Sequence, residues 1–199
     1  MKLALFDFDG TLTRHDTLLP FVRHVVGTRH WITGLIALSP LLLAYRLGLW
    51  PNHRAKEALL THFFAGWSAD ELQQQGENFA TQKLPAMLRP DMMAQLREHQ
   101  AHGDTCLLVS ASLDIYLRTW AQAHGFTEVL CSRLEVAKTA EFSNGAITGR
   151  LDGANCYGAE KYRRVNEWMA GRKVTHITAY GDSAGDCEML AMADVALRV

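Results

Sequence analysis

Leu5-Phe-Asp-Phe-Asp-Gly-Thr-Leu-Thr13 is the stretch from which the rest of the chain is read. The apolar run from Leu3 to Phe6 has the make-up of a buried strand, and it stops at a carboxylate, Asp7. A second carboxylate, Asp9, follows two places on, then Gly10 and Thr11. In an open α/β sheet, ligands sit beyond the carboxyl ends of the strands. Two acids there, with a glycine that lets backbone approach closely, suit a metal and phosphate site. The plainer reading is an Asp-Gly turn with two solvated acids. The remaining sequence decides between them.

Downstream of Pro90 the pattern alternates. Thr105–Val109 is a short apolar strand that ends in Ser110-Ala-Ser112, and a helix with Ile115, Leu117 and Trp120 inward follows. Glu128–Cys131 is a further strand, and Asn144-Gly145 between Phe142 and Ile147 predicts a tight hairpin over 141–150. A helix over Ala159–Met169 leads to a strand, His176–Tyr180, ending in Gly181-Asp-Ser-Ala-Gly-Asp186; Val195–Val199 is the last strand. Strands and helices at this spacing predict an α/β fold with a doubly wound parallel sheet. From 15 to 87 the signals are helical instead. Asp16 or Thr17 caps a helix with Leu18, Phe21, Val22 and Val25 on one face, and Gly27 ends it. Asn52 caps another, and Ser68-Ala-Asp-Glu71 opens a third as a capping box. The expected organisation is a core of 1–14 and 88–199 with an all-helical insert, 15–87, on the ligand side of the sheet.

The 199 residues are 48% hydrophobic and 21% charged with a net charge of −1, which is ordinary for a globular protein and gives no argument for nucleic acid. Cys106, Cys131, Cys156 and Cys187 lie far apart, so they read as reduced thiols of a cytoplasmic protein, not as disulfides or a zinc site. The chain enters its first strand directly, so no secretory signal is expected. Trp31 to Tyr45 carries no charge, yet it is shorter than the roughly 20 apolar residues of a spanning helix and has Pro40 in its middle. Two readings of 31–50 stand: a helix or helical hairpin buried in the insert, or a peripheral element at the inner face of a membrane. In the second, Trp31, Tyr45 and Trp50 sit at the headgroup level.

Three strands thus end in polar groups: Asp7/Asp9, Ser110 and Asp182. Carboxylates without His or Cys select a hard cation, Mg²⁺. The Asp7 and Asp182 carboxylates and a backbone carbonyl would bind it, and Asp9 and Asp186 complete the candidate metal set.

Asp7-Phe-Asp-Gly-Thr11, Ser110 after an apolar strand, Lys161, and Gly181-Asp-Ser-Ala-Gly-Asp186 resemble the four motifs of the haloacid dehalogenase superfamily of phosphatases, in order and across the chain. The insert resembles the C1 helical cap of the subfamily that holds phosphoserine phosphatase. That resemblance implies a Mg²⁺-dependent phosphomonoester hydrolase. Asp7 would be the nucleophile that becomes an aspartyl-phosphate, and Asp9 would carry the leaving-group proton. Ser110 and the amides of Ala111 and Ser112 would bind a phosphoryl oxygen. Lys161 would offset the charge that gathers there. Thr11 is a further candidate on the substrate side. Asp16 stands nine residues beyond Asp7, where phosphoserine phosphatases hold the substrate's amino group, but their carboxylate-clamping arginine has no clear counterpart. The apolar run is also similar to that of bacterial phosphatidylglycerophosphate phosphatases of the same subfamily, which implies a lipid-linked ester. Phosphotransfer to an alcohol and non-catalytic binding of a phospho-ligand are the alternatives.

Overall fold

A computed structural model describes all 199 residues. Five parallel strands form the sheet in the order β3-β2-β1-β6-β7: β1 Lys2–Phe6, β2 Thr105–Leu113, β3 Glu128–Ser132, β6 His176–Gly181 and β7 Val195–Arg198. β1 is central and sends alternate side chains to opposite faces. Ala4 and Phe6 join Leu108, Met92, Met93, Leu96, Leu117 and Trp120 under α4 (Pro90–Ala101) and α5 (Asp114–Ala123). Leu3 and Leu5 join Leu107, Val109, Val165 and Met189 under α6 (Ala159–Met169) and α7 (Cys187–Ala191). Helices on both faces make the sheet doubly wound, as expected.

Between β1 and β2 run α1 (Leu18–Arg46), α2 (Asn52–Phe64) and α3 (Ala69–Gln82). Their core is continuous with that of the sheet: Phe21 and Phe79 lie 5.0 and 5.4 Å, centroid to centroid, from the ring of Tyr116 on α5. The two crossings between sheet and insert pair with each other, Arg14 N donating to Met87 O at 2.9 Å and Arg89 N to Leu12 O at 2.8 Å.

Several local expectations need correcting. Gly27 does break α1, at φ 76°, but the helix resumes and continues through Pro40 as one element. The 31–50 segment is therefore no hairpin, and it is not buried. Its inner edge packs, with Trp31 and Leu38 against the main core and Gly34 so close to Phe63 that a Cβ would lie 2.4 Å from that ring. Its outer edge, including Ile32, Ile36 and Leu43, is exposed, because α2 and α3 flank only one side. No helix is long and apolar enough to cross a membrane. Asn52 does not cap α2; its side chain donates to the Tyr45 hydroxyl and accepts from Asn155. Asp16 rather than Thr17 caps α1, its Oδ1 accepting from Leu18 N at 2.8 Å.

The hairpin exists with different strands. β4 (Leu134–Ala137) pairs antiparallel with β5 (Ala146–Leu151), and Asn144-Gly145 closes a turn on Phe142 just before β5 starts. Lys138–Ser143 lacks the apolar alternation that a strand needs. β5 anchors the insert: Ile147 exchanges backbone bonds with Gly66 and Trp67, and Gly149 leaves no room for a Cβ, which would meet Thr61 Cα at 2.2 Å.

Candidate active site

β1 ends at Asp7, and the next five residues, Phe8–Leu12, form one wide helical turn interrupted at Gly10. Gly10 has φ +79°, and a Cβ there would sit 2.1 Å from Asp182 Oδ2, so both the turn and the approach of β6 require glycine. The sheet register places β1 between β2 and β6, which brings Asp7, Ser110 and Asp182 to one edge.

Lys161, buried on the first turns of α6, bridges two buried carboxylates. Its Nζ lies 2.5 Å from Asp7 Oδ1 and 2.5 Å from Asp186 Oδ1. Thr11 donates to Asp7 Oδ2 at 3.1 Å, while Ser183 donates from its N and Oγ to Asp186 Oδ2 at 3.0 and 2.8 Å. Burial pushes Asp7 up to about 6, with Lys161 opposing and Asp186 adding to the rise. Burial also opposes the Lys161 cation, but Asp7 and Asp186 outweigh it and hold the ammonium above its ordinary value. Asp186 is likewise held ionised: Lys161 and Ser183 overcome its burial and lower it.

Asp182 completes an acidic group with Asp7 and Asp186, one ligand oxygen of each lying within 4.8 Å of the others. Its Oδ1 is buried without any hydrogen-bond partner, and burial raises its pKa. A buried carboxylate oxygen left unpaired, beside two more carboxylates and no sulfur or imidazole, fits a Mg²⁺ ion.

The side chain of Asp9 is not part of that group, contrary to its assignment among carboxylate ligands. It turns toward the insert and accepts from Thr17 N at 2.8 Å, from Thr17 Oγ1 at 2.6 Å and from the Ser112 hydroxyl. Tyr116 closes the ring, its hydroxyl 2.9 Å from Ser112 Oγ and 3.0 Å from Thr17 Oγ1. Burial, with Asp16 adding, raises Asp9 to about 7, against the hydrogen bonds from Ser112 and Thr17. Two carboxylates two residues apart are thus sorted into different environments.

β2 does not stop at Val109. It continues to Leu113, with its register to β3 broken after Ser110. The Ser112 amide donates to Ser110 Oγ at 3.0 Å, so that amide is spent and the Ser110 hydroxyl keeps its own hydrogen to give. Ser112 lines the cleft with its hydroxyl given to Asp9, and Thr11, buried, gives its hydroxyl to Asp7. Ala111 lines the cleft, and its carbonyl accepts from Lys56. Asp16 lines it too, exposed and occupied with capping α1.

A cleft of about 820 Å³ opens over these groups, running from Asp7 and Asp182 past Lys56 and Asn155 to Leu42 and Tyr45 of α1. Neither Lys56 nor Asn155 belongs to the four motifs. Asn155 holds Lys56 Nζ at 3.1 Å, accepts from Ser132 at 2.8 Å and donates to Asn52 at 2.9 Å, tying core to insert. Burial lowers Lys56 to about 8, against Asp9 and Asp16. Only the three-dimensional meeting of α2 with the loop after β5 marks these residues; no local pattern does.

The family model for haloacid dehalogenase-like hydrolases matches residues 4–191. This chain belongs to that family. It is a haloacid dehalogenase-like hydrolase, and the doubly wound sheet is the fold it shares with the solved structures below. It is 36% identical to Protein CicA of Caulobacter vibrioides over 194 residues, 96% of this chain and 83% of that protein. A solved structure of a protein of unknown function from Bordetella pertussis Tohama I superposes with a TM-score of 0.81 at 26% identity, over 96% of this chain and 86% of that one. A phosphoserine phosphatase solved as an analogue of its phospho-aspartyl intermediate superposes with a TM-score of 0.69 at 18% identity, over 99% of this chain and 85% of that one, and shares the fold.

Proposed function

We propose that the haloacid dehalogenase-like chain is a Mg²⁺-dependent phosphomonoester hydrolase that works through an aspartyl-phosphate on Asp7, taking a small or lipid-linked ester. The observation that carries this reading is the division of labour between the two acids. Asp7 sits in the grip of Lys161 and Thr11, whereas Asp9, in the same cleft but held by Thr17 and Ser112, is pushed up to about 7. A group poised there can hold a proton at neutral pH and give it up in the transition state.

A carboxylate oxygen of Asp7 attacks phosphorus, and the bond from phosphorus to the ester oxygen breaks. Asp9 gives its proton to the departing alkoxide, so that a neutral alcohol leaves. A water then loses a proton to Asp9 and attacks the phosphoryl group, the Asp7–phosphorus bond breaks, and phosphate departs. Ser110 donates its free hydroxyl hydrogen to a phosphoryl oxygen, and Lys161 balances the charge on Asp7 and on the equatorial oxygens. The carboxylates of Asp7, Asp182 and Asp186 are the groups that would hold Mg²⁺. When bound, the ion keeps Asp7 ionised and neutralises phosphoryl charge.

The four unpaired thiols, three of them buried, suit work in a reducing cytoplasm. Release of phosphate from p-nitrophenyl phosphate with Mg²⁺ is the test. Asp7→Asn should reduce it roughly a thousandfold or more, and retention of turnover would sink the assignment. Running the assay with added alcohol and looking for a new phosphate ester separates hydrolysis from transfer.

A further inference from the structure

Half of the large apolar side chains exposed by the chain, seven of fourteen, fall between Ile32 and Trp50. Ile32, Ile36, Leu43 and Leu47 recur at helical spacing along the outer edge of α1 and its end, and Leu49 and Trp50 extend the strip. Ile36 is 67% exposed and Leu49 74% exposed. A strip of this kind has to be covered by something.

The same stretch has a one-sided charge. The chain holds 21 acids in 199 residues, yet no Asp or Glu occurs from Thr17 through Lys56. Arg23, Arg29, Arg46, Arg54 and Lys56 do occur there, and Arg29, Arg46 and Arg54 are exposed beside the apolar strip. This composition argues against a second copy as the cover. A two-fold pairing of strips would bring these arginines together with no acid in the stretch to meet them. It matches an anionic lipid surface instead, where leucine and isoleucine enter the acyl boundary and arginine stays among the phosphates. No helix is long and apolar enough to cross a membrane, so such a surface would meet α1 along its side.

The catalytic cleft reaches the same place. Leu42 and Tyr45 line it, and Leu43, between them in sequence, stands on the exposed strip. We propose that the outer face of α1 seats the enzyme on an anionic membrane, so that the cleft receives phosphate monoesters carried by membrane amphiphiles. The substrate half rests on the phosphatase reading above; the docking half does not.

Co-sedimentation with phosphatidylcholine vesicles, with and without phosphatidylglycerol, tests the docking. The intact chain should bind the anionic vesicles and leave the neutral ones. Ile36→Asp with Leu43→Asp, and separately Arg29→Glu with Arg46→Glu, should each weaken binding about tenfold or more. None of these residues lines the cleft, so turnover of p-nitrophenyl phosphate should stay unchanged, which also shows that the variants fold. Phosphatidate in anionic vesicles should be dephosphorylated about tenfold more slowly by either pair. Asp7→Asn should bind vesicles like the parent while releasing no phosphate, so loss of catalysis and loss of docking read out separately. Absence of binding to anionic vesicles, or undiminished binding by the apolar pair, overturns the docking. A concentration-dependent dimer dissolved by Leu43→Asp, without vesicle binding, overturns it in favour of a second copy. Equal phosphatidate turnover by parent and variants overturns the substrate half.

Discussion

Asp9→Asn should abolish turnover and yet make the magnesium-free protein more stable, by an amount that grows with pH. Burial raises the Asp9 carboxyl from 3.8 to about 7, so the folded state resists its ionisation. The sign follows from proton counting: between those values the folded chain binds more protons than the unfolded one, so stability falls as pH rises. Well below pH 3.8 neither state is ionised and the cost vanishes; above pH 8 it is complete. The difference of 7 − 3.8 units at 1.36 kcal/mol per unit sets an upper bound of about 4 kcal/mol. Asp9 keeps some contact with solvent, which screens the charge, so about 2 kcal/mol is expected at pH 8 and much less at pH 5. An asparagine fits the same hydrogen-bond ring. Its amide donates to Ser112, Ser112 to Tyr116, Tyr116 to Thr17, and Thr17 returns to the amide carbonyl, so no polar group is stranded. Urea unfolding of both proteins in EDTA at pH 5 and pH 8 reads the difference. A gain equal at both pH values, or a loss at pH 8, refutes the account of Asp9 as a carboxyl held near neutrality by burial.

Lys161→Met would leave Asp7 and Asp186 buried without their shared cation; a loss of about 3–5 kcal/mol in unfolding free energy is expected, together with loss of turnover. Gly10→Ala forces a left-handed residue into place and drives its methyl onto Asp182, so Mg²⁺ activation should need about tenfold more metal, read by titrating activity against the ion. Gly149→Ala pushes β5 off α2 at Thr61 and should cost about 2–3 kcal/mol in chemical denaturation, with little change in KM if the cleft floor stays intact.

Most of the candidate site at the sheet edge was legible because each part of it is local. A strand is recognisable from its run of apolar residues, and the polar residue where the run stops is the one that reaches the sheet edge. Asp7, Ser110 and Asp182 each follow from that logic, and the parallel order of strands brings them together; Lys161, on a helix, was marked only by the family resemblance. Other roles depended on distance in sequence. Thr11 and Ser112 read as substrate contacts, but their hydroxyls support Asp7 and Asp9. Thr17 and Tyr116, 99 positions apart, are needed to close the ring around Asp9, and neither carries a motif. The hairpin was misplaced because Asn-Gly marks a turn without saying which strands it joins.

Amino-acid order alone determined the alternation of strands and helices, the acids at the strand ends and the apolar character of 31–50, since these rest on neighbours within a few residues. Tertiary structure decided which carboxylate joins the acidic group and which faces the insert, that Lys56 and Asn155 meet across the cleft, and that the outer edge of α1 and the turn after it is left exposed. The reason is physical: hydrophobicity is a property of the residue, but burial and pKa are properties of what surrounds it, and those neighbours come from distant parts of the chain.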